Sequence, residues 1–318
     1  MELRPYQVDC VNQLRDGYRQ GFRRQLLTSP TGSGKTVLFS FITKSSAAKG
    51  QRTVIMAHRS EILRQISETL DTVGVPHKVL RAGMPTPRLA QTVVASVNTL
   101  GRRLDGFPPP DLCVVDECHH SAAGTWANIF GSWPTTRFLG VTATPERLDG
   151  KGLGDYYDRM VRGPEVEWLI ANGFLSPPRY FAPARMIDAS AIRKVAGDYA
   201  RNDAAKLFDK PTITGDAVIQ YRKICPGKTA VAFAISIAHA VHVAAQFRGS
   251  GIPASVIDGT MTDEQRSQCI ADLRARRILV LVSCELISEG FDLPAVEAVI
   301  LLRPTASLAL HLQQIGRG

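Results

Sequence analysis

Ser29-Pro30-Thr31-Gly32-Ser33-Gly34-Lys35-Thr36 sits between a short apolar run, Gln25-Leu26-Leu27-Thr28, and a helix-like run over residues 37–42. Strand, glycine loop and helix in that order turn a Gly-Lys-Thr string into a phosphate-binding loop. The glycines let successive backbone N–H groups converge on one point, and the helix N-terminus adds partial positive charge there. Lys35 can then reach the outer phosphates of a nucleotide, and the Thr36 hydroxyl can hold Mg²⁺. The match to GxxxxGK[ST] is incomplete, because Ser29 stands where the first glycine belongs. The rival reading is a Gly/Ser turn that ends in Lys-Thr. The flanking strand and helix argue against it.

Working outward, Leu3-Arg4-Pro5-Tyr6-Gln7 opens a helix expected to run to about Tyr18, with Pro5 tolerated in its first turn. After the loop, Thr53-Val54-Ile55-Met56-Ala57 reads as a buried strand. Ser60 is a possible cap of the next helix, over residues 61–73. Residues 79–80, 92–95, 112–115 and 138–142 read as further short strands. Strands alternating with helical segments predict an α/β fold with a mostly parallel sheet covered on both faces. Ligands of such folds sit beyond the carboxyl ends of the strands.

Two further motifs fall at such ends. Asp116-Glu117-Cys118-His119-His120 follows the strand at 112–115. A carboxylate there, Asp116, can bind Mg²⁺ through water, and Glu117 can accept a proton from the attacking water or orient it. The rival is zinc ligation by Cys113, Cys118, His119 and His120. Alternation along a strand argues against it, because neighbouring side chains point to opposite faces. Thr142-Ala143-Thr144-Pro145 closes the next strand. Alone it is a common turn; at the same sheet edge it can couple the nucleotide site to elsewhere.

A second alternating unit starts at Lys228. It has strands expected at 230–234, 254–257, 278–282 and 296–302, and a helix capped by Ser236. A capping box at Thr262-Asp263-Glu264-Gln265 starts another helix, and a last one begins near Ser307. This unit has no Gly-Lys-Thr loop. Between the two units, residues 165–172 read as a short helix ended by Gly173. Weak helical runs follow near 203–208 and 216–224. The expected division is 1–165, a connector with accessory helices over 166–226, and 227–318.

Composition narrows the class. The chain has 318 residues, long enough for two domains of about 100–200 residues each. Its net charge of +9 favours a polyanionic partner, although an anionic membrane or simple solubility also fits. Arginine outnumbers lysine by 28 to 10, which suits phosphate but also follows from genomic base composition. The six cysteines form no CxxC pair and no secreted-type framework, so free thiols in a reducing cytosol are expected. Met-Glu-Leu-Arg is no signal peptide, and no run of 18 apolar residues offers a membrane span.

The ordered set LRPYQ, PTGSGKT, AHRSEILRQ, VASVNTL, DECHH, VTATP, ISEGFDLPAVE, RPTASLALHLQQ and IGRG resembles superfamily 2 helicases and translocases of the DExH type. The closest likeness is to the XPB-like branch of bacteria and phages. It covers residue 3 to the end, with a gap near 184–226. The resemblance implies two RecA-like domains with an ATP cleft between them. It implies a nucleic-acid-dependent ATPase, with ATP and Mg²⁺ as cofactors and DNA favoured over RNA. A bacterial or phage-infected cytoplasm is the expected setting.

The same resemblance implies roles. Gln7 and Arg4 would recognise adenine, and the loop Pro30, Thr31, Gly32, Ser33, Gly34, Lys35 and Thr36 would hold phosphates and Mg²⁺. Asp116 would be the metal carboxylate and Glu117 the catalytic base. His119, Thr142 and Thr144 would link the nucleotide state to nucleic-acid grip. Gly290 and Asp292 would touch nucleotide from the second domain, and Arg317 would be an arginine finger. Arg59, Ser96, Asn98, Thr99, Ser236, His239 and Ser283 would lie along the nucleic-acid backbone. Ser96 and Thr99 read equally well as strand-end and helix-cap residues.

Two departures shape the expected activity. The family pattern has a second arginine at position 320, beyond Gly318, so ATP binding is expected to survive and turnover to be impaired. Only 20 residues, 293–312, separate Asp292 from Gln313, too few for a long strand-splitting hairpin. A translocase or weak unwinder is therefore expected. The alternatives are the ATPase motor of a restriction or defence complex, an ATP-gated nucleic-acid-binding scaffold, and a small-molecule kinase. The second alternating domain argues against the kinase.

Overall fold

The computed structural model of the chain describes residues 2–120, 124–144, 152–182, 192–195, 198–284 and 296–316. The chain divides into two compact units, Met1–Ser176 and Pro177–Gly318.

The first unit holds strands β1 (Arg24–Thr28), β2 (Thr53–Ala57), β3 (Lys78–Leu80), β4 (Thr92–Ser96), β5 (Leu112–Asp116), β6 (Arg137–Thr142) and β7 (Arg159–Arg162). Its helices are α1 (Pro5–Arg19), α2 (Lys35–Ala47), α3 (Ser60–Thr72), α4 (Val97–Gly101), α5 (Gly124–Ser132) and α6 (Val166–Ala171). The seven strands form one sheet in the order β3-β4-β2-β5-β6-β1-β7, and its pairings are parallel.

Alternation along each strand explains the two-sided burial. Leu27, Ile55, Val94, Val114 and Leu139 face one way and pack with Leu14 of α1, Phe39 of α2 and Ile66 of α3. Leu26, Val54, Met56, Val93, Cys113 and Phe138 face the other way, against Leu100 of α4 and Trp126 and Phe130 of α5. Strands buried on both faces read as continuous apolar runs, the pattern of an interior parallel sheet.

The second unit holds a short antiparallel pair, β8 (Lys194–Val195) and β9 (Asp198–Tyr199). A four-stranded parallel sheet follows, built from β10 (Ala230–Phe233), β11 (Ala254–Ile257), β12 (Val280–Ser283) and β13 (Ala298–Leu301) in the order β11-β12-β10-β13. Its helices are α7 (Arg201–Phe208), α8 (Pro211–Ile224), α9 (Ile237–Gly249), α10 (Asp263–Arg274) and α11 (Leu308–Ile315). Val218 and Tyr221 of α8 pack with Val243 and Phe247 of α9 over Ala230, Ala232 and Val282. On the other face Cys269, Ile270 and Leu273 of α10 cover Val231, Phe233 and Leu281.

Some local expectations differ from what is seen. Ser60 is the first residue of α3 rather than its cap; Arg59 takes the cap position, extended at φ −113°, without a side-chain capping bond. The strand expected from residue 278 begins at Val280, and that expected from 296 begins at Ala298. Helix α8 starts at Pro211, which fits the first turn of a helix. Its buried face makes it part of the second unit's core. Ser236, Thr262 and Ser307 do cap α9, α10 and α11, each accepting an N–H three residues on.

Candidate nucleotide site

Strands β5, β6 and β1 lie side by side, and being parallel they end at one sheet edge. Register places Thr28 beside Thr142 and Asp116 beside Val141. The glycine loop, the Asp116-Glu117 pair and the Thr142–Thr144 turn are therefore neighbours by topology. This is the edge at which parallel α/β sheets bind ligands.

The loop makes its own turns. Gly32 and Gly34 sit at φ +79° and +78°, which L-residues rarely adopt. Gly34 serves as the N-cap of α2 without a side-chain cap, so the first-turn N–H groups of this 13-residue helix have no capping side chain. Such a terminus favours an anion. Ser29, in place of a glycine, donates its hydroxyl to Ser33 Oγ at 2.7 Å, and Ser33 Oγ donates to the Pro30 carbonyl at 2.6 Å. Lys35 Nζ donates to the carbonyls of Ser29 and Pro30, both at 3.1 Å, holding its charge over the loop.

Gln7 reaches the loop from α1. Its Nε2 donates to the carbonyls of Ser33 and Gly34 at 3.0 and 3.2 Å, and its Oε1 accepts from the Arg4 N–H at 2.9 Å. Tyr6 donates its hydroxyl to the Ser33 carbonyl at 2.7 Å. An aromatic group around Tyr6 escaped sequence reasoning. Phe174 lies edge-on to Tyr6 at 5.2 Å and stacks on Trp168 at 5.8 Å, while the Arg4 guanidinium covers Phe174 at 5.1 Å. The available signal was Gly173, at φ +73°, which ends α6 and turns Phe174 and Leu175 back.

Asp116 closes β5, and its Oδ1 accepts the N–H of Glu117 at 3.1 Å. Glu117 is held at φ +48°, a left-handed conformation that costs a non-glycine residue about 1–2 kcal/mol. Its Oε2 is buried without a hydrogen bond, and so is Oγ1 of Thr144. His119 Nδ1 lies 3.1 Å from Thr142 Oγ1 and 3.4 Å from Glu117 Oε2. Thr142 donates its hydroxyl to the Thr144 carbonyl at 2.8 Å. Burial pushes the Cys118 thiol well above its ordinary range, against a hydrogen bond from Tyr157. Among the described residues no group of three or more His, Cys, Asp or Glu is placed to hold a metal ion.

The remaining expected residues are placed as follows. Arg59 and Ser96 are half-buried, Asn98 is exposed and Thr99 is buried. Ser236 and His239 have structural tasks: the serine caps α9, and His239 Nδ1 accepts the Ile235 N–H at 3.3 Å. Burial holds His239 below its ordinary pKa, with Asp209 pulling the other way, so the ring is neutral. Ser283 is fully buried at the end of β12. Gly290, Asp292 and Arg317 lie outside the described residues.

A glycine loop between β1 and α2, facing carboxylates at the end of β5, defines a P-loop nucleotide-binding unit. Comparison with known proteins narrows the class. Residues 1–147 match the family described as type III restriction enzyme, res subunit, and residues 216–318 match the helicase conserved C-terminal domain. A 51.5 kDa protein of a Lactococcus phage is 38% identical over 91% of this chain and 61% of its own length. The putative ATP-dependent helicase IRC3 of Saccharomyces cerevisiae is 27% identical over 99% of this chain and 49% of its own. Among solved structures, S. cerevisiae Dbp5 bound to RNA and ADP BeF3 superposes with a TM-score of 0.61 at 16% identity, covering 99% of this chain and 84% of that one. The chain belongs to superfamily 2 of the helicases. It spans between 49% and 61% of the length of the first curated relatives it matches.

Proposed function

We propose that the protein is a nucleic-acid-dependent ATPase that moves along or remodels a nucleic-acid strand, with DNA as its preferred polymer. The observation that carries this reading is one sheet edge where the glycine loop, Asp116-Glu117 and Thr142–Thr144 end neighbouring strands.

Each residue has a task that its geometry supports. Loop N–H groups and Lys35 bind the phosphates. Gln7, with Tyr6, Phe174 and Trp168 beside it, lines the place for the base. Mg²⁺, held by Thr36 and Asp116, would neutralise charge on the phosphates. Glu117, bent out of β5 with one carboxylate oxygen that makes no hydrogen bond and lies 3.4 Å from His119, orients the attacking water and takes its proton. His119 ties that carboxylate to Thr142, so a change at the nucleotide reaches the Thr142–Thr144 turn. The resemblance assigns Gly290, Asp292 and Arg317 to the same nucleotide. A strand held by its backbone rather than its bases suits a motor that must move along any sequence.

The net charge of +9 fits a polyanionic partner. No helix among the described residues is long and apolar enough to cross a membrane. The match to a restriction-enzyme subunit family favours one second reading, in which the same motor serves a larger restriction or defence assembly.

Glu117→Gln tests the assignment. It keeps the side-chain shape and removes the base, so nucleotide should still bind while hydrolysis falls by about 10²–10⁴. Wild-type hydrolysis would remove Glu117 from the reaction.

A further inference from the structure

Residues 192–209 carry no helicase motif, yet they are tied to the carboxyl edge of the second sheet at three points. Ile192 and Ala204 pack on Ile235, directly after β10. Asp209 accepts from His242 Nδ1 of α9 at 3.0 Å. The third point is Asp198, in β9, and it is the most fully bonded of them.

Asp198 Oδ1 accepts from the Ala306 N–H at 2.8 Å, from the Thr305 hydroxyl at 3.0 Å and from the Tyr199 N–H at 2.9 Å. Its Oδ2 pairs with Arg303 Nη2 at 2.9 Å. Both side chains of that pair are largely buried, at 21% and 12% exposure, so solvent screens it little. The bonding continues into α11. Thr305 Oγ1 gives its hydrogen to Asp198 and accepts the Ser307 N–H at 3.1 Å. Ser307 Oγ in turn accepts the Leu310 N–H at 3.3 Å and caps the helix. One carboxylate thus fixes residues 303–306 and, through two hydroxyls, the first turn of α11. That helix leads into Gly316 and Arg317.

We propose that Asp198 is a positioning residue that holds the start of α11 in the arrangement ATP turnover needs, making residues 192–209 a clamp on this helix. This inference rests on the ATPase reading above. A carboxylate suits the task because it can take two neutral amides, a hydroxyl and a guanidinium at once. The charge is well supported. Burial would raise the Asp198 pKa, but the Ala306, Tyr199 and Thr305 bonds and the Arg303 charge hold it below the usual carboxylate range. The resemblance assigns the transition-state group to Arg317, two residues beyond this helix in sequence, and a small displacement of such a group is enough to lower kcat about ten- to a hundredfold.

The test is steady-state ATP hydrolysis with single-stranded DNA present, alongside binding of a fluorescent ATP analogue, for the wild-type protein and four variants. Asp198→Ala and Thr305→Val should each lower kcat at least about tenfold, with KM for ATP and analogue binding within about twofold of wild type. Asp198→Asn keeps Oδ1 as acceptor but turns a donor toward Arg303, so an intermediate fall is expected. Thr305→Ser keeps the hydroxyl and should restore kcat. That last result separates the clamp from general loss of fold, because a misfolded fraction would not distinguish serine from valine. Wild-type kcat in both Asp198→Ala and Thr305→Val would overturn the clamp, as would a fall shared by Thr305→Ser. Failure of the ATPase reading is distinguishable, since it would appear in the wild-type protein as absence of hydrolysis with every polymer.

Discussion

His119 Nδ1 and Thr142 Oγ1 meet at 3.1 Å, joining the turn after β5 to the end of β6. Thr142 Oγ1 also bonds the Thr144 carbonyl at 2.8 Å and accepts the Thr144 N–H at 3.1 Å. Thr142→Val keeps the side-chain shape and removes the hydroxyl, leaving His119 Nδ1 with Glu117 Oε2, 3.4 Å away, as its neighbour. Losing a buried partner costs about 1–3 kcal/mol. The variant should bind ATP yet show weakened stimulation by nucleic acid, read as the ratio of stimulated to basal hydrolysis. An unchanged ratio would remove this contact from coupling.

Gly34 tests the loop more directly. A Cβ there would lie 2.6 Å from Gln7 Nε2, and the residue sits at φ +78°. Gly34→Ala therefore strains the backbone by about 1–2 kcal/mol and displaces Gln7 from the loop carbonyls. The expected outcome is a weaker affinity for ATP, measured by equilibrium titration, with a loss of thermal midpoint of only a few degrees. ATP binding at wild-type strength would contradict the described loop geometry.

The acid limb of stability should depend on Glu297. Hydrogen bonds from Lys228, from the Thr229 N–H and from Arg276 hold its pKa down to about 2, against 4.5 ordinarily. A depressed carboxylate adds stability that is present above the unfolded-state value and is lost as pH falls toward the folded one. Glu297→Gln should thus lower the thermal midpoint at pH 7, and the gap to wild type should close between about pH 4.5 and 2. A gap that persists at the acid end would assign the effect to packing.

Much of this architecture is legible in the residues. Buried strands such as Thr53–Ala57 and Leu112–Asp116 are continuous apolar runs, and their order with the glycine loop already implies a parallel sheet. Hydroxyl caps at Ser236 and Thr262 were readable because the side chain and the N–H it accepts lie three residues apart, and the helix start near Ser307 proves to be a cap of the same kind. What escaped depends on distant partners. β7 (Arg159–Arg162) is an edge strand with one buried residue, Val161, so it carries no apolar run. The aromatic group at Tyr6 joins residues from the two ends of the first unit, and nothing local marks Trp168 and Phe174 as its partners. Asp198 is an ordinary turn residue until Arg303, Thr305 and Ala306 come to it from about a hundred positions away. The Asp116-Glu117 pair was visible as a motif, but the left-handed turn at Glu117 was not.

The most direct measurement is ATP hydrolysis by the wild-type protein and Lys35→Ala, each alone and with single-stranded DNA, duplex DNA or RNA at one fixed low salt concentration. The account predicts hydrolysis by wild type that rises with nucleic acid, most with DNA, and no stimulated hydrolysis by Lys35→Ala. Equal turnover by the two proteins, or a wild-type rate indifferent to every polymer, would contradict it.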